Sequence, residues 1–237
     1  MKKRIVVLTG AGVSAESGLG TYRDNGGLWD KYDPMEVASA EGWRRNPALV
    51  LNFYNMQREK LKDCEPNAAH RAIAGLEKDY TVCVITQNVD NLHERAGSTQ
   101  VIHLHGEVTK VRPQDSYTWE DGYSEKQVVD VGYGKVSLGD KSPKGVQLRP
   151  HIVFFGEQVP KIEEAANVVA QADILLIVGT SMQVYPAASL YHYAPAGCRI
   201  FLIDPDNKLG SHIPGVTFIN DVATAGMRRF KEDLQNL

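Results

Sequence analysis

The stretch from residue 5 to residue 15 reads Ile-Val-Val-Leu-Thr-Gly-Ala-Gly-Val-Ser-Ala. Its first part, Ile5–Thr9, is apolar and rich in β-branched residues, as in a strand buried on both faces of a parallel sheet. Gly10, Gly12 and Ala15 then match the glycine fingerprint of dinucleotide-binding turns, in the form that ends in alanine. Glycines allow the backbone to approach a pyrophosphate, which the N-terminus of the following helix also attracts. The stretch predicts the first strand of a nucleotide-binding α/β sheet; a plain strand-to-helix turn is the alternative.

The usual continuation of this fingerprint is missing. A second strand and an acidic residue are expected about 20 residues later, but a glycine-rich run at 17–27 follows, and no strand-like run begins before Tyr80. We interpret this run as a mobile loop over a cofactor, in which Arg23 is able to meet a phosphate or a carboxylate. A plain surface loop is the alternative.

Strand-like and helix-like patterns alternate along the rest of the chain. Further strands are predicted at 82–86, 101–104, 174–178, 199–203 and 216–219. Helices are predicted at 47–61, from Asn67 to before Asp79, from Asn88 onward, and at 161–171, 187–193 and 222–234. The segment 112–149 is polar and glycine-rich, and Ile152–Phe155 is expected to resume the main core. The pattern predicts an α/β fold: a doubly wound, Rossmann-like parallel sheet with a small inserted module.

The same pattern predicts how the chain is divided. We expect a single domain over residues 1–237. Its large part covers about 1–20, 80–110 and 150–237, and the small module comes from insertions at about 21–79, holding a lid and helices, and 111–149.

The composition restricts the class of protein. The chain has 43% hydrophobic and 23% charged residues and a formal net charge of -3, which argues against a nucleic-acid-binding surface. No apolar run approaches the roughly 20 residues of a membrane helix, and the N-terminal apolar run is too short for a secretory signal. Cys64, Cys83 and Cys198 are too far apart for a zinc ribbon or a redox motif. We predict a cytoplasmic monomer without nucleic-acid or membrane partners.

Polar side chains follow two of the predicted strands. Gln87, Asn88 and Asp90 come after the strand 82–86, and His103 and His105 come at the end of the strand 101–104. Open α/β sheets bind ligands at the carboxyl ends of their strands. His105 is therefore a candidate general base, whereas helix capping is the plain alternative for Asn88 and Asp90.

Two further features bear on this edge of the sheet. A metal site at His103 and His105 is disfavoured, because no third ligand lies close by in the sequence. Gly179–Ser181 forms a second glycine turn, and Asp204 ends a later strand. Together with the first turn at Gly10–Gly12 they predict a ligand with phosphates and two riboses; two plain turns and a helix cap at Asp204 are the alternative. Glu94 and Arg95 are expected on a solvated face.

Taken together, the motifs resemble those of the sirtuins, which are NAD-dependent protein deacylases. The matching residues span nearly the whole chain: Gly10–Gly18, Thr21-Tyr22-Arg23, Gln87–Asp90, His105-Gly106, Phe155-Gly156-Glu157, Gly179–Ser181, Val184 and Pro186. The combination is far more specific than the first glycine turn alone.

The resemblance implies a role for each matching residue. The residues that would bind NAD are Gly10, Ala11, Gly12, Ala15, Thr21, Tyr22, Arg23, Gln87, Asn88, Asp90, His105, Gly179, Thr180, Ser181, Asp204 and Val222. Among these, Asn88 and Asp90 would orient the nicotinamide ribose and a water, and His105 would be the catalytic base. The residues that would bind the acylated peptide are Tyr54, Gln57, Phe155, Gly156, Glu157, Val184 and Tyr185.

The resemblance also implies a reaction. The acyl oxygen of an acylated lysine attacks the nicotinamide ribose as nicotinamide leaves, and the products are acylated ADP-ribose and free lysine. The expected partners are acylated-lysine proteins or peptides, and deacetylation is the expected activity. Two alternatives are kept: mono-ADP-ribosyl transfer, and a non-catalytic sensor that binds NAD or ADP-ribose.

Several positions depart from the family pattern. The segment that usually carries four zinc-binding cysteines, here 112–149, has none, so we predict no zinc. The opening motif resembles that of the bacterial-type, desuccinylase-like branch, which removes succinyl and malonyl groups. In that branch a Tyr and an Arg lie three residues apart; here Tyr54 matches but Gln57 replaces the arginine. Arg58 is one residue further on, which turns its side chain by about 100° on a helix. Selectivity for acidic acyl groups is therefore not expected. Gly20 and Asp204 also replace the commoner proline and asparagine.

Overall fold

The computed structural model describes residues 2–20, 31–118, 122–123, 125–211 and 213–235. The predicted lid with Thr21, Tyr22 and Arg23 lies outside these residues. In chain order the strands are β1 Arg4–Thr9, β2 Thr81–Thr86, β3 Val101–His103, β4 Gly106–Pro113, β5 Tyr117–Thr118, β6 Gly122–Tyr123, β7 Val129–Asp130, β8 Leu148–Ile152, β9 Ile174–Val178, β10 Arg199–Ile203 and β11 Thr217–Ile219.

The helices connect these strands. The α-helices are α1 Ala11–Ala15, α2 Pro34–Val37, α3 Ala40–Arg45, α4 Pro47–Asp63, α5 Ala68–Gly75, α6 Leu92–Arg95, α7 Ile162–Val169 and α8 Ala223–Gln235. Short 3-10 helices lie at Leu76–Lys78, Glu125–Gln127, Ala187–Tyr193 and Leu209–Ser211. Within the described ranges, none of the helices is both long and apolar enough to cross a membrane.

The main sheet has six parallel strands in the order β11-β10-β9-β1-β2-β3. The predicted doubly wound parallel sheet is confirmed. β1 is central because both its neighbours pair along its length: Val7 lies between Val84 and Leu176. The chain runs outward from β1 through β2 to β3, and then returns to β9 on the other side of β1. This reversal places a topological switch point, where such sheets bind ligands, at the carboxyl end of β1.

Both faces of the main sheet are covered, which explains why the central positions of its strands are apolar. Ile5 and Val7 point into a core shared with α5 and α8. Val6 and Leu8 point into a core shared with α7 and the 3-10 helix Ala187–Tyr193. All four side chains are fully buried, and each contributes roughly 1.5–3 kcal/mol of hydrophobic free energy.

A second, antiparallel sheet has the order β7-β4-β8, and β5 and β6 pair beside it. It packs against α4 in a third core. This sheet begins at Gly106 and ends at Ile152, so it extends beyond the predicted insertion 111–149 at both ends. The expectation that Ile152–Phe155 resumes the main core was wrong, because Ile152 and Phe154 belong to the third core. The reason is the antiparallel pairing of β8 with β4, in which Ile152 lies opposite Gly106, so that this segment continues the small sheet.

Three of the six predicted helices, at 47–61, 161–171 and 222–234, are confirmed within two residues at each end. The helix expected from Asn67 to before Asp79 is the α-helix Ala68–Gly75 followed by the 3-10 helix Leu76–Lys78. The other two differ more. The segment 187–193 is a 3-10 helix rather than an α-helix. The helix expected to begin at Asn88 is α6, which begins at Leu92. Asn88 and Asp90 lie before it, because the Asp90 Oδ1 accepts the Leu92 N–H at 3.1 Å and ends the extended loop there.

Candidate active site

A cleft of about 1180 Å³ lies at the carboxyl ends of β1, β2 and β9, between the main sheet and the small sheet. It is lined by all the predicted site residues that the structure describes: Gly10, Ala11, Gly12, Ala15, Tyr54, Gln57, Gln87, Asn88, Asp90, His105, Phe155, Gly156, Glu157, Gly179, Thr180, Ser181, Val184, Tyr185, Asp204 and Val222. Thr21, Tyr22 and Arg23 lie outside the described residues. Residues far apart in the sequence are thus brought to one cleft.

The two glycine turns pack directly on each other at the floor of the cleft. The Gly12 N–H donates to the Gly179 carbonyl at 2.8 Å, and the Gly10 N–H donates to the Val178 carbonyl at 3.1 Å. A Cβ on Gly12 would lie 2.6 Å from the Gly179 Cα, and Gly179 has a φ of +60°. Neither position accepts a side chain, so bare backbone faces the cleft, as a pyrophosphate site requires.

Gln87 links the loop after β2 to the second glycine turn. Its N–H donates to the Thr9 carbonyl at 2.9 Å, and its Nε2 donates to the Thr180 Oγ1 at 2.9 Å. The loop 87–90 is therefore held against both turns.

Asn88, Ser14 and Asp90 form one hydrogen-bonded group. The Asn88 Nδ2 donates to the Gly10 carbonyl and to the Ser14 Oγ, both at 3.1 Å. The Ser14 hydroxyl donates to the Asp90 Oδ2 at 3.0 Å. Burial raises the pKa of Asp90, against hydrogen bonds from the Leu92 N–H and Ser14 that lower it. Asp90 thus has a capping role as well as a place in the cleft.

Two buried histidines lie beneath this group. His70 accepts the Asn67 N–H at its Nδ1 (3.3 Å), so its Nε2 carries the proton that points at the Ser14 Oγ, 3.4 Å away. The His93 Nε2 lies 3.0 Å from the Thr9 Oγ1, and the centroids of the two imidazole rings are 4.9 Å apart. Sequence reasoning missed Ser14, His70 and His93 as parts of the site. Only Ser14 had a signal, its position inside the first glycine motif.

These histidines predict acid sensitivity. Burial lowers the pKa of His70 to about 4 and that of His93 well below its usual value. The unfolded chain binds these protons near pH 6.5 and the folded chain does not, so stability is lost as the pH falls from about 6.5 through the folded pKa. For His70 the loss is about 2 kcal/mol by pH 5. Urea unfolding at pH 7.5 and pH 5 measures it: His70→Gln should show a smaller pH dependence than the wild type. The same substitution at the exposed His192 is the control. An equal change of the unfolding free energy between the two pH values in wild type and His70→Gln would contradict the lowered pKa of His70.

His105 lines the cleft with one ring nitrogen held by the backbone. Its Nδ1 lies 3.0 Å from the Gln87 carbonyl oxygen. A carbonyl only accepts, so Nδ1 carries the ring proton and Nε2 keeps a lone pair. Burial lowers the pKa of His105, and the hydrogen bond to Gln87 offsets this only in part. The imidazole is therefore neutral at pH 7, the form that a general base needs.

The opposite rim of the cleft is apolar and exposed. The exposed fractions of Phe155 and Tyr185 are 46% and 74%. The Phe155 N–H donates to the Ala38 carbonyl (2.8 Å), and its carbonyl accepts the Ala40 N–H (3.1 Å). This segment is thus already paired along one side and presents the other to the cleft.

The Glu157 carboxylate points away from the cleft. It accepts hydrogen bonds from Arg149 at 2.6 Å, from the Phe154 N–H at 2.9 Å and from Arg112 at 3.4 Å, and only 5% of the side chain is exposed. Any contact of Glu157 with a peptide would come from its backbone. The buried ion pairs of Glu157 with Arg112 and Arg149 instead hold the small sheet against the rim of the cleft at Phe155.

Tyr54 and Gln57 both line the cleft, as predicted, and Arg58 does not. The Arg58 side chain is fully buried. It donates to the Val108 carbonyl at 2.8 Å and to the Asn55 Oδ1 at 2.7 Å. The Arg58 side chain thus turns away from Gln57 and from the cleft, as the offset of one helical residue predicts.

The cysteine-free segment is attached to α4 through Asn55. The Asn55 Nδ2 donates to the Val136 carbonyl, and the Val136 N–H returns a bond to the Asn55 Oδ1, both at 2.9 Å. In the part of the chain that the structure describes, no three His, Cys, Asp or Glu side chains are grouped so as to hold a metal ion. The absence of zinc stays a prediction.

The chain is similar to a known protein family in sequence and to solved structures in fold. The sequence profile of the Sir2 family matches residues 10–186. A NAD-dependent protein deacylase of Bacteroides thetaiotaomicron is 56% identical over 204 residues, which are 86% of each chain. The crystal structure of a Sir2 homologue in complex with NAD is 37% identical, with a TM-score of 0.85, and the match covers 99% of this chain and 90% of that one. A Sir2 complex with a deacetylated peptide and 3′-O-acetyl ADP ribose is 29% identical, with a TM-score of 0.78, over 98% and 94% of the two chains.

Proposed function

This chain belongs to the Sir2 family, and we propose how its own residues carry out the reaction of that family. It is an enzyme, an NAD-dependent protein deacylase that acts on acylated protein substrates. NAD supplies the ribose that receives the acyl group and the nicotinamide that leaves. The division of labour among the residues of the cleft is our proposal.

The two glycine turns and Asp204 are proposed to hold NAD. The close contact of Gly12 with Gly179 leaves backbone without side chains at the N-terminus of α1, which suits the phosphates. Asp204 lies at the end of β10 and lines the cleft, where its carboxylate suits a ribose hydroxyl. Ser181 and Val222 complete this end of the site.

His105 is proposed as the general base. The observation that carries the proposal is the hydrogen bond from Nδ1 to the Gln87 carbonyl, which leaves Nε2 as the proton acceptor inside the cleft. There it takes a proton from a ribose hydroxyl, which then attacks the acyl carbon. A water supplies the oxygen that replaces the lysine nitrogen on this carbon, so that the acyl group stays on the ribose and the lysine amine leaves. Asn88 and Asp90, held by Ser14, orient the ribose and a water. The cleft needs no nucleophilic side chain, because the acyl oxygen of the substrate is the nucleophile.

The acylated peptide is proposed to lie between Phe155–Glu157 and Val184–Tyr185 as an added strand. Backbone hydrogen bonds then provide affinity with little dependence on sequence. The exposed Phe155 and Tyr185 would flank the acyl-lysine as it enters toward Tyr54 and Gln57. A monomer in the cytoplasm, without membrane partners, stays our prediction, as does the absence of nucleic-acid partners, which the net charge of -3 supports.

Gln57 determines which acyl group the enzyme prefers. We expect one peptide, assayed with NAD in acetyl, succinyl and long-chain acyl forms, to be turned over fastest as the acetyl form. Gln57→Arg should raise kcat/KM for the succinyl peptide about 10- to 100-fold, because a bidentate charged hydrogen bond contributes roughly 1.5–3 kcal/mol. Nicotinamide release and the mass of the product report the reaction.

Gln57→Leu is the matched control, since it removes the amide without adding charge and should not gain succinyl activity. A wild-type preference for succinyl would contradict the role given to Gln57. Labelled ADP-ribose on protein, without free lysine, would indicate mono-ADP-ribosyl transfer, and NAD binding without nicotinamide release would indicate a sensor.

A further inference from the structure

His103 lies beneath the loop 87–90 and does not line the cleft. It is the last residue of β3 and is 4% exposed. Its Nδ1 lies 3.0 Å from the Asn88 carbonyl oxygen, and its Nε2 lies 2.8 Å from the Glu94 Oε1. The ring therefore links the loop 87–90, which we call the catalytic loop, to α6.

Both partners of His103 are hydrogen-bond acceptors. A backbone carbonyl has no proton to donate, and neither has an ionised carboxylate. A neutral imidazole has one N–H and could satisfy only one of the two oxygens. An imidazolium has two N–H groups and satisfies both, so the geometry is that of a protonated ring.

A protonated Glu94 would be the other way to satisfy this geometry, and its surroundings disfavour it. The Glu94 side chain is 40% exposed. Burial tends to raise the pKa of Glu94, but the hydrogen bond and the charge of His103 outweigh it, and the pKa is lowered. The pair is thus carboxylate and imidazolium.

We propose that His103 is a positioning residue for deacylation: an imidazolium, held by Glu94, that fixes the Asn88 backbone in the catalytic loop. The proposal rests on the proposed roles of Asn88 and His105. Asn88 is anchored on two sides, since its carbonyl accepts from His103 and its Nδ2 reaches Gly10 and Ser14. Loss of the His103 proton would turn one of its two hydrogen bonds into a repulsion between lone pairs.

The charged groups around His103 set the pH range. Burial works against its charge, but Glu94 on α6 and Glu107 on β4 outweigh it, and the pKa of His103 is raised. Asp90 on the loop also lies near His103: burial raises the pKa of Asp90, and the charge of His103 offsets this only in part. Because the pKa is raised, both hydrogen bonds of the His103 ring are present below pH 6.5, and one of them is lost as the pH rises through the pKa of His103 in the folded protein. His105 has the opposite dependence, because it acts when neutral.

Nitrogen-15 NMR of the seven histidines tests the charge directly. The signal that His103→Gln removes should show two protonated ring nitrogens at pH 7 in the wild-type enzyme. A single protonated nitrogen at pH 7 would overturn the proposal. This measurement needs no turnover, so it stands apart from any failure of the proposed function.

Kinetics test the positioning role. Glu94→Gln should move the alkaline limb of the kcat profile to lower pH by about one unit or more, because an opposite charge at hydrogen-bond distance shifts a pKa by 1–3 units. The KM for NAD should change little. Glu65→Gln, on an exposed side chain that pairs with Arg95, is the matched control and should leave the profile in place. An unchanged alkaline limb in Glu94→Gln would overturn the role of the pair.

Discussion

His105→Ala is expected to lower kcat for deacylation about 10²- to 10⁴-fold, the usual contribution of a general base, while NAD still binds. The reason is that the variant loses the only histidine nitrogen that the described part of the cleft offers as a proton acceptor, the Nε2 opposite the bond to Gln87. Formation of acylated ADP-ribose measures the step, and calorimetric titration measures NAD binding.

His192→Ala provides the control, since His192 is exposed on the 3-10 helix outside the cleft. Full turnover by His105→Ala would remove His105 from the mechanism.

The pH profile of kcat/KM is a second test of His105. Because burial lowers the pKa of His105, its neutral form persists below pH 6.5, and the acid limb of kcat/KM should lie below that value.

Gly12→Ala is expected to disrupt both the fold of the cleft floor and the binding of NAD. The new Cβ would lie 2.6 Å from the Gly179 Cα and 2.9 Å from the Gly179 carbonyl oxygen. Both contacts are with backbone, which has no rotamer to change. Overpacking of this kind costs about 1–3 kcal/mol, so Tm should fall by roughly 2–10 °C. The NAD dissociation constant should rise more than about 10-fold, because the two turns move apart.

Gly75→Ala is the matched control. An added Cβ at Gly75 meets nothing within 4 Å, and its φ of -63° suits alanine, so stability should be equal or slightly greater. Thermal unfolding with and without NAD separates the two effects. If Gly12→Ala kept both the Tm and the affinity of the wild type, the contact between the two turns would have no functional importance.

Local sequence patterns were sufficient to predict much of this fold. The strands of the main sheet were predictable because burial on both faces makes their central positions apolar, as in Ile5–Leu8 and Ile174–Val178. The helix Pro47–Asp63 followed from its apolar spacing, and that geometry also separated Gln57 from Arg58. The glycine turns and His105 were predictable because each follows a strand that ends at the same edge of the sheet.

Other features depended on contacts that no local pattern records. Glu94 was expected on a solvated face, and its side chain is indeed 40% exposed, but it also pairs with His103 across nine residues. The Glu157 carboxylate binds Arg112 and Arg149 instead of facing the cleft.

By itself, then, the sequence determined the α/β sheet, the two glycine turns and the residues at its edge, because hydrophobic periodicity and glycine geometry act over a few residues. Only the tertiary structure decided which polar groups meet there. Ser14 joins His70 across 56 residues and Asp90 across 76. Partners at such separations are chosen by strand order and packing, so the network under Asn88 became apparent only once the chain was folded.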